Sequence, residues 1–225
     1  MKKSAIIVAG GIGNRMKAEV PKQFLLLAGK PVLMYCIEAF NQAFTDLIPV
    51  IVLPKDQFKT WKDLCSRFSF TFPHRLVAGG ETRFHSVKNG LEKISSEGMV
   101  AIHDGVRPLI SPTLIRKVFE AAEINGNCIP MIPIHDSMRR ITKLKNRPVN
   151  RMNYCIIQTP QVFNAAIIKK AYLNPYSDAF TDDASVLETL GETIHLIPGE
   201  SLNLKITHPD DLTLAEAFLS LPFQR

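Results

Sequence analysis

Residues 5–16 read AIIVAGGIGNRM, an apolar run that ends in a glycine-rich turn. The run at 5–8 is short and carries no polar residue, which is typical of a strand buried on both faces of a parallel sheet. The glycines that follow let the backbone come close to a ligand and point its N–H groups inward, which is how a loop holds phosphate without side chains. This segment therefore predicts a first strand that opens onto an anion-binding loop.

The same order, a short apolar run and then a helical pattern, repeats along the chain. Further strands are predicted at 48–53, 75–78, 99–103, 128–134, 193–197 and 204–206. Helices are predicted at 31–43, 57–68, 81–94, 113–124, 165–173, 182–190 and 207–221, the last capped by Thr207 with Asp210 three positions on. This alternation predicts an α/β fold with a mostly parallel sheet and helices on both faces.

Length and composition favour one globular domain that binds an anion. A chain of 225 residues suits a single α/β domain, so we expect one domain over 1–225. Its 46% hydrophobic content and scattered glycines and prolines exclude collagen and a disordered chain. The 27 Lys and Arg exceed the 21 Asp and Glu by 27 − 21 = 6, a surplus that suits an anionic ligand and does not by itself indicate nucleic acid.

Cysteine spacing and apolar run lengths bear on the compartment. Cys36, Cys65, Cys128 and Cys155 form no C-x-x-C pair, so neither a zinc site nor a disulfide framework is predicted. The basic start resembles a signal peptide, but its apolar run stops at Gly10 and no cleavage site follows. Since no apolar run approaches the roughly 20 residues of a membrane span, we expect no membrane contact and a cytoplasmic protein.

One segment, at about 135–158, lacks a helical period and is strongly basic. Six cations fall within 13 residues: Arg139, Arg140, Lys143, Lys145, Arg147 and Arg151. Because like charges repel unless they are solvated or paired, the simple interpretation is an exposed loop. The sharper interpretation is a projecting β-arm that reaches over an anionic site or docks on a second subunit.

Polar residues concentrate directly after the predicted strands, where doubly wound sheets bind their ligands. The first such loop is neither a dinucleotide fingerprint, because Met16 stands where the third glycine belongs, nor a Walker loop. What remains is a glycine turn with two cations, Arg15 and Lys22, which suit a polyphosphate clamp. A tight turn with two solvated cations fits the same residues, so both interpretations stay open here.

Later loops repeat this pattern. In the block HDGVRP at 103–108, Asp104 could hold Mg²⁺ or a sugar hydroxyl. Arg107 in the same block has a planar guanidinium that can donate two parallel hydrogen bonds to a phosphate. The alternative is that these two residues pair with each other. GGETRFHS at 79–86 leads glycines into a helix start that could meet an anion or a base edge. Lys205 lies between Leu204 and Ile206 and must leave the core, so we expect it to face a pocket or solvent.

Two enzyme classes are disfavoured by the motifs the sequence lacks. His74, His135, His195 and His208 have no nucleophile or metal partner at recognisable spacing, so a structural or surface role is expected. His85 and His103 lie nearer the predicted pocket. The sequence has no G-x-S-x-G and no H-E-x-x-H, which argues against a serine hydrolase and a zinc protease.

Taken in order, eight blocks of the chain resemble the 2-C-methyl-D-erythritol 4-phosphate cytidylyltransferase family. They run from about residue 5 to residue 218 and read AGGIGNRM, PKQF, GGETRFHSV, HDGVRP, DSMRR, QTPQVF, FTDDAS and NLKITHPDDL. The resemblance implies a Rossmann-like nucleotidyltransferase fold and a homodimer held by the basic arm. It also implies the reaction of CTP with methylerythritol phosphate, with Mg²⁺ and release of pyrophosphate, in isoprenoid precursor synthesis.

The resemblance also implies roles for residues at the matching positions. Those implied to bind the nucleotide are Ala9, Gly10, Gly11, Gly13, Arg15, Lys22, Gly80, Glu81, Ser86, Asp104 and Gly105. Those implied to bind the sugar phosphate, some from the partner subunit, are Asp104, Arg107, Ser137, Arg151, Thr159, Thr181 and Lys205. Arg15, Lys22, Asp104 and Lys205 are the implied catalytic residues, and the metal is expected to be held mainly by the triphosphate.

Departures from the family pattern leave the acceptor open. Ser137 stands where Thr is usual, Glu81 where Asp is frequent, and Gly105 and Val106 where two alanines are common. Hydroxyl and charge are kept at the first two positions, so the nucleotide chemistry is expected to be retained. A ribitol-5-phosphate cytidylyltransferase remains the alternative enzyme, and a non-catalytic RNA- or anion-binding module remains the alternative of a different class.

Overall fold

The computed structural model describes residues 1–11 and 20–221. The strands are β1 Lys3–Val8, β2 Leu26–Leu27, β3 Lys30–Pro31, β4 Val50–Leu53, β5 Arg75–Ala78, β6 Met99–Asp104, β7 Asn127–Pro133, β8 Arg139–Ile141, β9 Asn146–Pro148, β10 Cys155–Ile157, β11 Gln161–Asn164 and β12 Leu196–Pro198. The helices are α1 Val32–Ala43, α2 Phe58–Arg67, α3 Arg83–Leu91, α4 Pro112–Asn125, α5 Ala165–Ala171, α6 Asp183–Leu187 and α7 Pro209–Ser220.

The central sheet is mixed but mostly parallel, which confirms the predicted α/β class. Its strand order is β10-β7-β11-β6-β1-β4-β5, and β12 also pairs with β7. β1 lies parallel to β4 and β6, and β5 lies parallel to β4. Antiparallel β11 joins β6 to β7. The carboxyl ends of β1, β4, β5 and β6 therefore open at one edge, where α/β sheets bind ligands.

Alternation along the buried strands divides the core between the two faces of the sheet. Ile7 and Ile51 belong to the cluster covered by α1, α2 and α4. Ile6 and Val50 belong to the cluster covered by α3, α5 and α6. Because successive strand side chains point to opposite faces, uniformly apolar strands need helices on both sides.

Local signals set the ends of the helices. The Ser111 hydroxyl accepts from the Leu114 amide at 2.9 Å, Pro112 stands in the first turn of α4, and Gly126 ends the helix with a left-handed backbone. For α7 the predicted start at Thr207 was wrong. The cap is His208, and Asp211 rather than Asp210 accepts from the amides of Thr207 and His208.

Two strand predictions were wrong in a way that matters for the cleft. β11 was missed because it forms by pairing with β6 and β7, whose residues lie far away along the chain. No strand forms at 204–206, where the Ile206 amide bonds the Val106 carbonyl at 2.8 Å in an extended segment that forms no ladder. That segment crosses the end of the sheet and delivers Lys205 to its open edge.

The predicted basic arm is an exposed hairpin. β8 pairs antiparallel with β9, and the Thr142 amide closes the tip on the Lys145 carbonyl at 2.9 Å. Leu144 at the tip is 92% exposed. The predicted boundary at 158 was too late, because β10 pairs with β7 and returns the chain to the central sheet. A dimer through this arm stays a prediction.

The cysteines are all free, and Cys36 and Cys128 are buried. Burial raises the pKa of the Cys36 thiol to about 12, so it stays protonated at neutral pH. Within the described residues, no helix is long and apolar enough to cross a membrane.

We expect Gly98→Ala to destabilise the protein far more than Gly126→Ala. Both glycines have a positive φ, +80° and +84°, so alanine costs about 1–2 kcal/mol at either position. At Gly98 the added Cβ would also lie 2.0 Å from the Lys2 carbonyl oxygen, whereas at Gly126 it meets nothing within 4 Å. Urea unfolding of the two variants measures the difference. Equal losses in the two variants would contradict this packing argument.

Candidate active site

A cleft of about 800 Å³ lies at the carboxyl edge of the sheet, where β1, β4, β5 and β6 end. It brings together residues far apart in the chain, as the sequence predicted. The predicted residues in its wall are Ala9, Gly10, Gly11, Lys22, Gly80, Glu81, Ser86, Asp104 and Lys205. Gly13 and Arg15 lie outside the described residues, so the predicted pairing of Arg15 with Lys22 stays a prediction.

Glycines form part of the cleft wall, at Gly10, Gly11 and Gly80. A Cβ on Gly80 would stand 2.4 Å from the His85 Cβ, so no side chain fits between this loop and the start of α3. The Gly80 amide donates to the Ser86 hydroxyl at 3.1 Å. The main chain of this loop therefore packs directly on α3 and lines the cleft with backbone atoms.

Lys22 supplies a cation beside the first glycine loop, where a Cβ on Gly11 would lie 3.8 Å from the Lys22 Cε. It opens a short 3-10 turn over Lys22–Phe24 that begins after Pro21. Its ammonium donates to the Ile206 carbonyl at 3.4 Å, a long contact. An amine at this place can bind phosphate oxygens, since ammonium groups act as point charges for phosphate.

Asp104, the last residue of β6, is surrounded by three cations. Its carboxylate lies 2.9 Å from the Lys205 ammonium and 3.5 Å from the Nε atoms of both Arg83 and Arg107. Burial raises the pKa of Asp104, but the three cations outweigh burial and hold that pKa well below its ordinary value. Asp104 therefore stays ionised and fixes a group of positive charges beside the cleft.

Arg83 also lines the cleft and was not among the predicted site residues. Its guanidinium donates to Asp183 through Nη1 at 2.9 Å and Nη2 at 2.7 Å, while Nε faces Asp104. Burial opposes its charge, but the two carboxylates raise the pKa of Arg83 well above its ordinary value. Arg83 stood inside the GGETRFHS block and Asp183 inside FTDDAS, but the pair is 100 positions apart and no spacing rule links them.

Three predicted ligand-binding residues lie beneath the cleft rather than in the part of its wall that the described residues build. Arg107 donates through Nη1 to the Asn203 carbonyl at 2.8 Å, and its Nε pairs with Asp104, so the interpretation of mutual pairing is confirmed. Thr159 accepts from the Asp104 amide at 3.0 Å. Gly105 donates to the Val8 carbonyl, and a Cβ there would lie 2.9 Å from the Ala9 Cβ. These residues hold Asp104 and the first loop in place.

The other predicted sugar-phosphate residues lie apart from the cleft wall of this chain. Ser137 and Arg151 are exposed on the arm, where Arg151 bonds the His135 carbonyl. Thr181 is exposed and lines a separate hollow of about 110 Å³ together with Arg83. Their contribution to the reaction stays a prediction.

The cleft wall also contains residues that were not predicted. Gln23 and Gln57 face each other there, with the Gln23 amide nitrogen donating to Gln57 Oε1 at 2.8 Å. Pro54 and Asp56 precede Gln57 after β4. The available signal was their place after a predicted strand, the same signal that identified the other loops.

His103 lies under Asp104 and stays neutral. It is fully buried, its Nδ1 is 3.1 Å from the Thr159 hydroxyl, and its ring packs against Phe40. Burial lowers the pKa of His103 to about 3. The ring supports the cleft floor and carries no charge at neutral pH.

This depressed pKa predicts a pH-dependent stability that His103→Gln removes. Below its ordinary pKa of about 6.5 the unfolded state binds a proton that the native state does not bind. The free energy of unfolding should therefore fall with decreasing pH, and between about pH 6 and pH 4.5 the wild-type slope should exceed that of the variant by up to about 1.4 kcal/mol per unit. Urea unfolding across this range gives both slopes, and parallel curves would contradict the prediction.

Comparison with known proteins agrees with this geometry. The family model for IspD, 2-C-methyl-D-erythritol 4-phosphate cytidylyltransferase, matches residues 4–221. A relative of that name from Phocaeicola vulgatus is 47% identical over 219 residues, covering 97% of this chain and all of the relative. Another from Azobacteroides pseudotrichonymphae is 49% identical over 220 residues, covering 97% of this chain and 99% of the relative.

Solved structures show the same fold. The crystal structure of 2-C-methyl-D-erythritol 4-phosphate cytidylyltransferase from Thermus thermophilus superposes with a TM-score of 0.81 at 31% identity, covering 98% of this chain and all of that one. A match of this extent at this identity concerns the whole sheet with its helices and not one motif. The chain belongs to the 2-C-methyl-D-erythritol 4-phosphate cytidylyltransferase (IspD) family.

Proposed function

We propose that this chain joins CTP and 2-C-methyl-D-erythritol 4-phosphate to give CDP-methylerythritol and pyrophosphate. One observation carries the proposal: the glycine loops at Gly10 and Gly80 and a cation group around Asp104 line one cleft. Main-chain amides and carbonyls can bind the edge of a nucleobase, and the cations suit two phosphorylated substrates. The family to which the chain belongs carries out a reaction that needs both features, a nucleotide site and a site for a second phosphate.

The residues of the cleft suit catalysis by positioning and charge. A phosphate oxygen of the acceptor attacks the α-phosphorus of CTP, a new P–O bond forms, and the bond from the α-phosphorus to the bridging oxygen breaks to release pyrophosphate. The attacking oxygen is already anionic, so no strong general base is required. Lys22 and Lys205 offset the negative charge that builds during the attack.

Magnesium fits this cleft as a partner of the nucleotide. Among residues 1–11 and 20–221, no group of three His, Cys, Asp or Glu side chains converges as a metal site. Asp104 is already paired with cations, so its carboxylate is not a free metal ligand. We propose that Mg²⁺ enters on the triphosphate oxygens and supplies charge neutralisation there, while the protein holds the remaining phosphate oxygens through Lys22.

We propose further that the protein acts as a cytoplasmic homodimer. The exposed arm carries Ser137, Leu144 and Arg151, and none of them lines the part of the cleft that residues 1–11 and 20–221 build. An arm that reached the cleft of a partner would bring a hydroxyl and a guanidinium to the acceptor phosphate, and would cover Leu144. This arrangement accounts for both features at once.

Pyrophosphate release with each nucleoside triphosphate and with a panel of polyol phosphates, with and without Mg²⁺, tests the proposal. We expect turnover with CTP and methylerythritol phosphate that depends on the metal. A strong preference for ribitol 5-phosphate would identify the other acceptor. Tight, salt-sensitive RNA binding without pyrophosphate release would instead favour the binding module.

A further inference from the structure

We propose that Asp183 is a positioning residue that holds Arg83 away from full pairing with Asp104, so that Asp104 keeps Lys205 in the cleft. The proposal deepens the proposed function, on which its kinetic part rests. It concerns a buried carboxylate that makes no wall of the main cleft. Its effect on the reaction passes through two other side chains.

Asp183 is built as a fixed acceptor. The residue is fully buried at the start of α6, and its carboxylate accepts from both Nη atoms of Arg83 and from the Tyr172 hydroxyl at 2.6 Å. Its amide donates to Gln161 Oε1 at 3.1 Å, as does the amide of Ala184. Gln161 lies on β11 opposite Ile102 of β6, so the start of α6 is tied to the strand that carries Asp104.

This anchor determines which atoms of Arg83 reach Asp104. Asp183 accepts from both Nη atoms, and with the guanidinium held in this orientation its Nε faces Asp104 at 3.5 Å. That distance is longer than an ordinary hydrogen bond, whereas Lys205 lies 2.9 Å from the other carboxylate oxygen of Asp104. Asp183 therefore limits Arg83 to a weak contact with Asp104, and the short contact with Asp104 is made by Lys205.

Loss of the Asp183 charge would let Arg83, and no longer Lys205, make the short contact with Asp104. A guanidinium can donate two parallel bonds to a carboxylate, and an ammonium cannot, so a released Arg83 would compete with Lys205 for Asp104. Lys205 would then leave its place beside the acceptor phosphate. Asp183 is hydrogen-bonded to Arg83, Tyr172 and Gln161 and not to the glycine loops at Gly10 and Gly80, so these loops should keep their shape.

The charge of the group supports this interpretation. Arg83, Arg107 and Lys205 carry three positive charges against the two negative charges of Asp104 and Asp183, which leaves +1 beside the cleft. A buried ion pair is by itself weak support for stability, because apolar residues of similar volume often serve as well. Because the Arg83–Asp183 pair lies at the edge of the cleft, it can determine where positive charge is held beside the substrates.

Asp183→Asn tests the proposal, with Asp182→Asn as the matched control. Both remove one carboxylate from adjacent positions, but Asp182 bonds the Ser185 amide and Gln161 and does not bond Arg83. Asparagine also caps helices well, so the control should fold normally. In Asp183→Asn we expect the KM for methylerythritol phosphate to rise about tenfold, with the KM for CTP changed less than about threefold. In the control, both KM values should stay within about twofold of wild type.

Acetylation of lysines provides a readout that does not depend on turnover. Mass spectrometry measures the acetylation rate of Lys205 in wild type and in the variants, with exposed Lys59 as the internal reference. In Asp183→Asn, and not in Asp182→Asn, Lys205 should be acetylated at least about threefold faster than in wild type, because its amine has lost the short ion pair with Asp104. Inactive wild type would overturn the proposed function, while the labelling would still test the positioning. Unchanged labelling of Lys205, or equal increases in both KM values, would overturn the positioning role.

Arg83→Lys keeps the test decisive if Asp183→Asn fails to fold. Lysine retains the charge but cannot donate two parallel bonds to Asp104, so it should not displace Lys205, and Lys205 should be acetylated no faster than in wild type. Faster labelling of Lys205 in Arg83→Lys would overturn the proposal.

Discussion

Lys22→Ala is expected to lower kcat by about 10²- to 10³-fold, the usual cost of one group that stabilises charge in a transition state. The lysine lines the cleft, and its hydrogen bond to the Ile206 carbonyl is long at 3.4 Å. The side chain is only partly buried and is not part of the apolar core, so the free energy of unfolding should change by less than about 0.5 kcal/mol. Pyrophosphate release and urea unfolding measure the two quantities.

Lys59→Ala provides the control for this prediction. Lys59 is exposed on α2 and does not line the cleft, so its loss removes the same charge at a distance. Turnover in the control should match wild type. Near wild-type turnover in Lys22→Ala would refute the role assigned to this amine.

Asp104→Asn is expected to damage both stability and turnover. Arg83, Arg107 and Lys205 would lose a shared counter-charge, and Arg107 is only 9% exposed. Removing one partner from a buried ion pair costs about 3–5 kcal/mol, because the remaining charge is left uncompensated. With the cations no longer held in place, kcat/KM should fall by about 10³-fold. Asp63→Asn, which changes an exposed carboxylate on α2, should leave both properties unchanged.

The pH dependence of stability gives a second measurement on the same pair of proteins. The pKa of Asp104 is lower in the folded state than its ordinary value of about 3.9. Its stabilising contribution is therefore fully present above that value and is lost as pH falls through the lower, folded-state pKa. The difference in unfolding free energy between wild type and Asp104→Asn should be constant from about pH 5 to 7 and shrink below about pH 4. A difference that grows in acid would contradict the assigned charge state.

Local pattern predicted the parts of the fold that depend on neighbouring residues. The strands β1 and β4, with their apolar runs at 5–8 and 50–53, and the amphipathic α1 and α4 lie within a few residues of their predicted positions. The pattern failed for β11, since its pairing with β6 and β7 depends on partners about 60 and 35 positions away. It also failed at 204–206, where burial of Ile206 and exposure of Lys205 resemble an alternating strand but no neighbour completes a ladder.

The candidate site also contains residues that local sequence predicted and residues that only tertiary contacts bring in. Loop chemistry identified Gly10, Gly80 and Lys22 without any knowledge of distance, because glycine and cations after strands suit phosphate whatever lies opposite. Ligand binding by Asp104 stays a prediction, and the sequence left open whether Arg107 binds phosphate or pairs with the Asp104 carboxylate. In the structure Arg107 pairs with Asp104, and Arg83 lies beside the same carboxylate.

The sequence alone determined the α/β class, the glycine loops, the basic arm and the resemblance to a family, because these follow from residue type and short-range order. Only the tertiary structure decided which cations share Asp104, that Asp183 restrains Arg83, and that Thr159 and Gly105 lie under the cleft. The physical reason is distance. Ion pairs and hydrogen bonds act over a few ångströms in space, and chain positions 100 residues apart come within that range only after the sheet and its helices have packed.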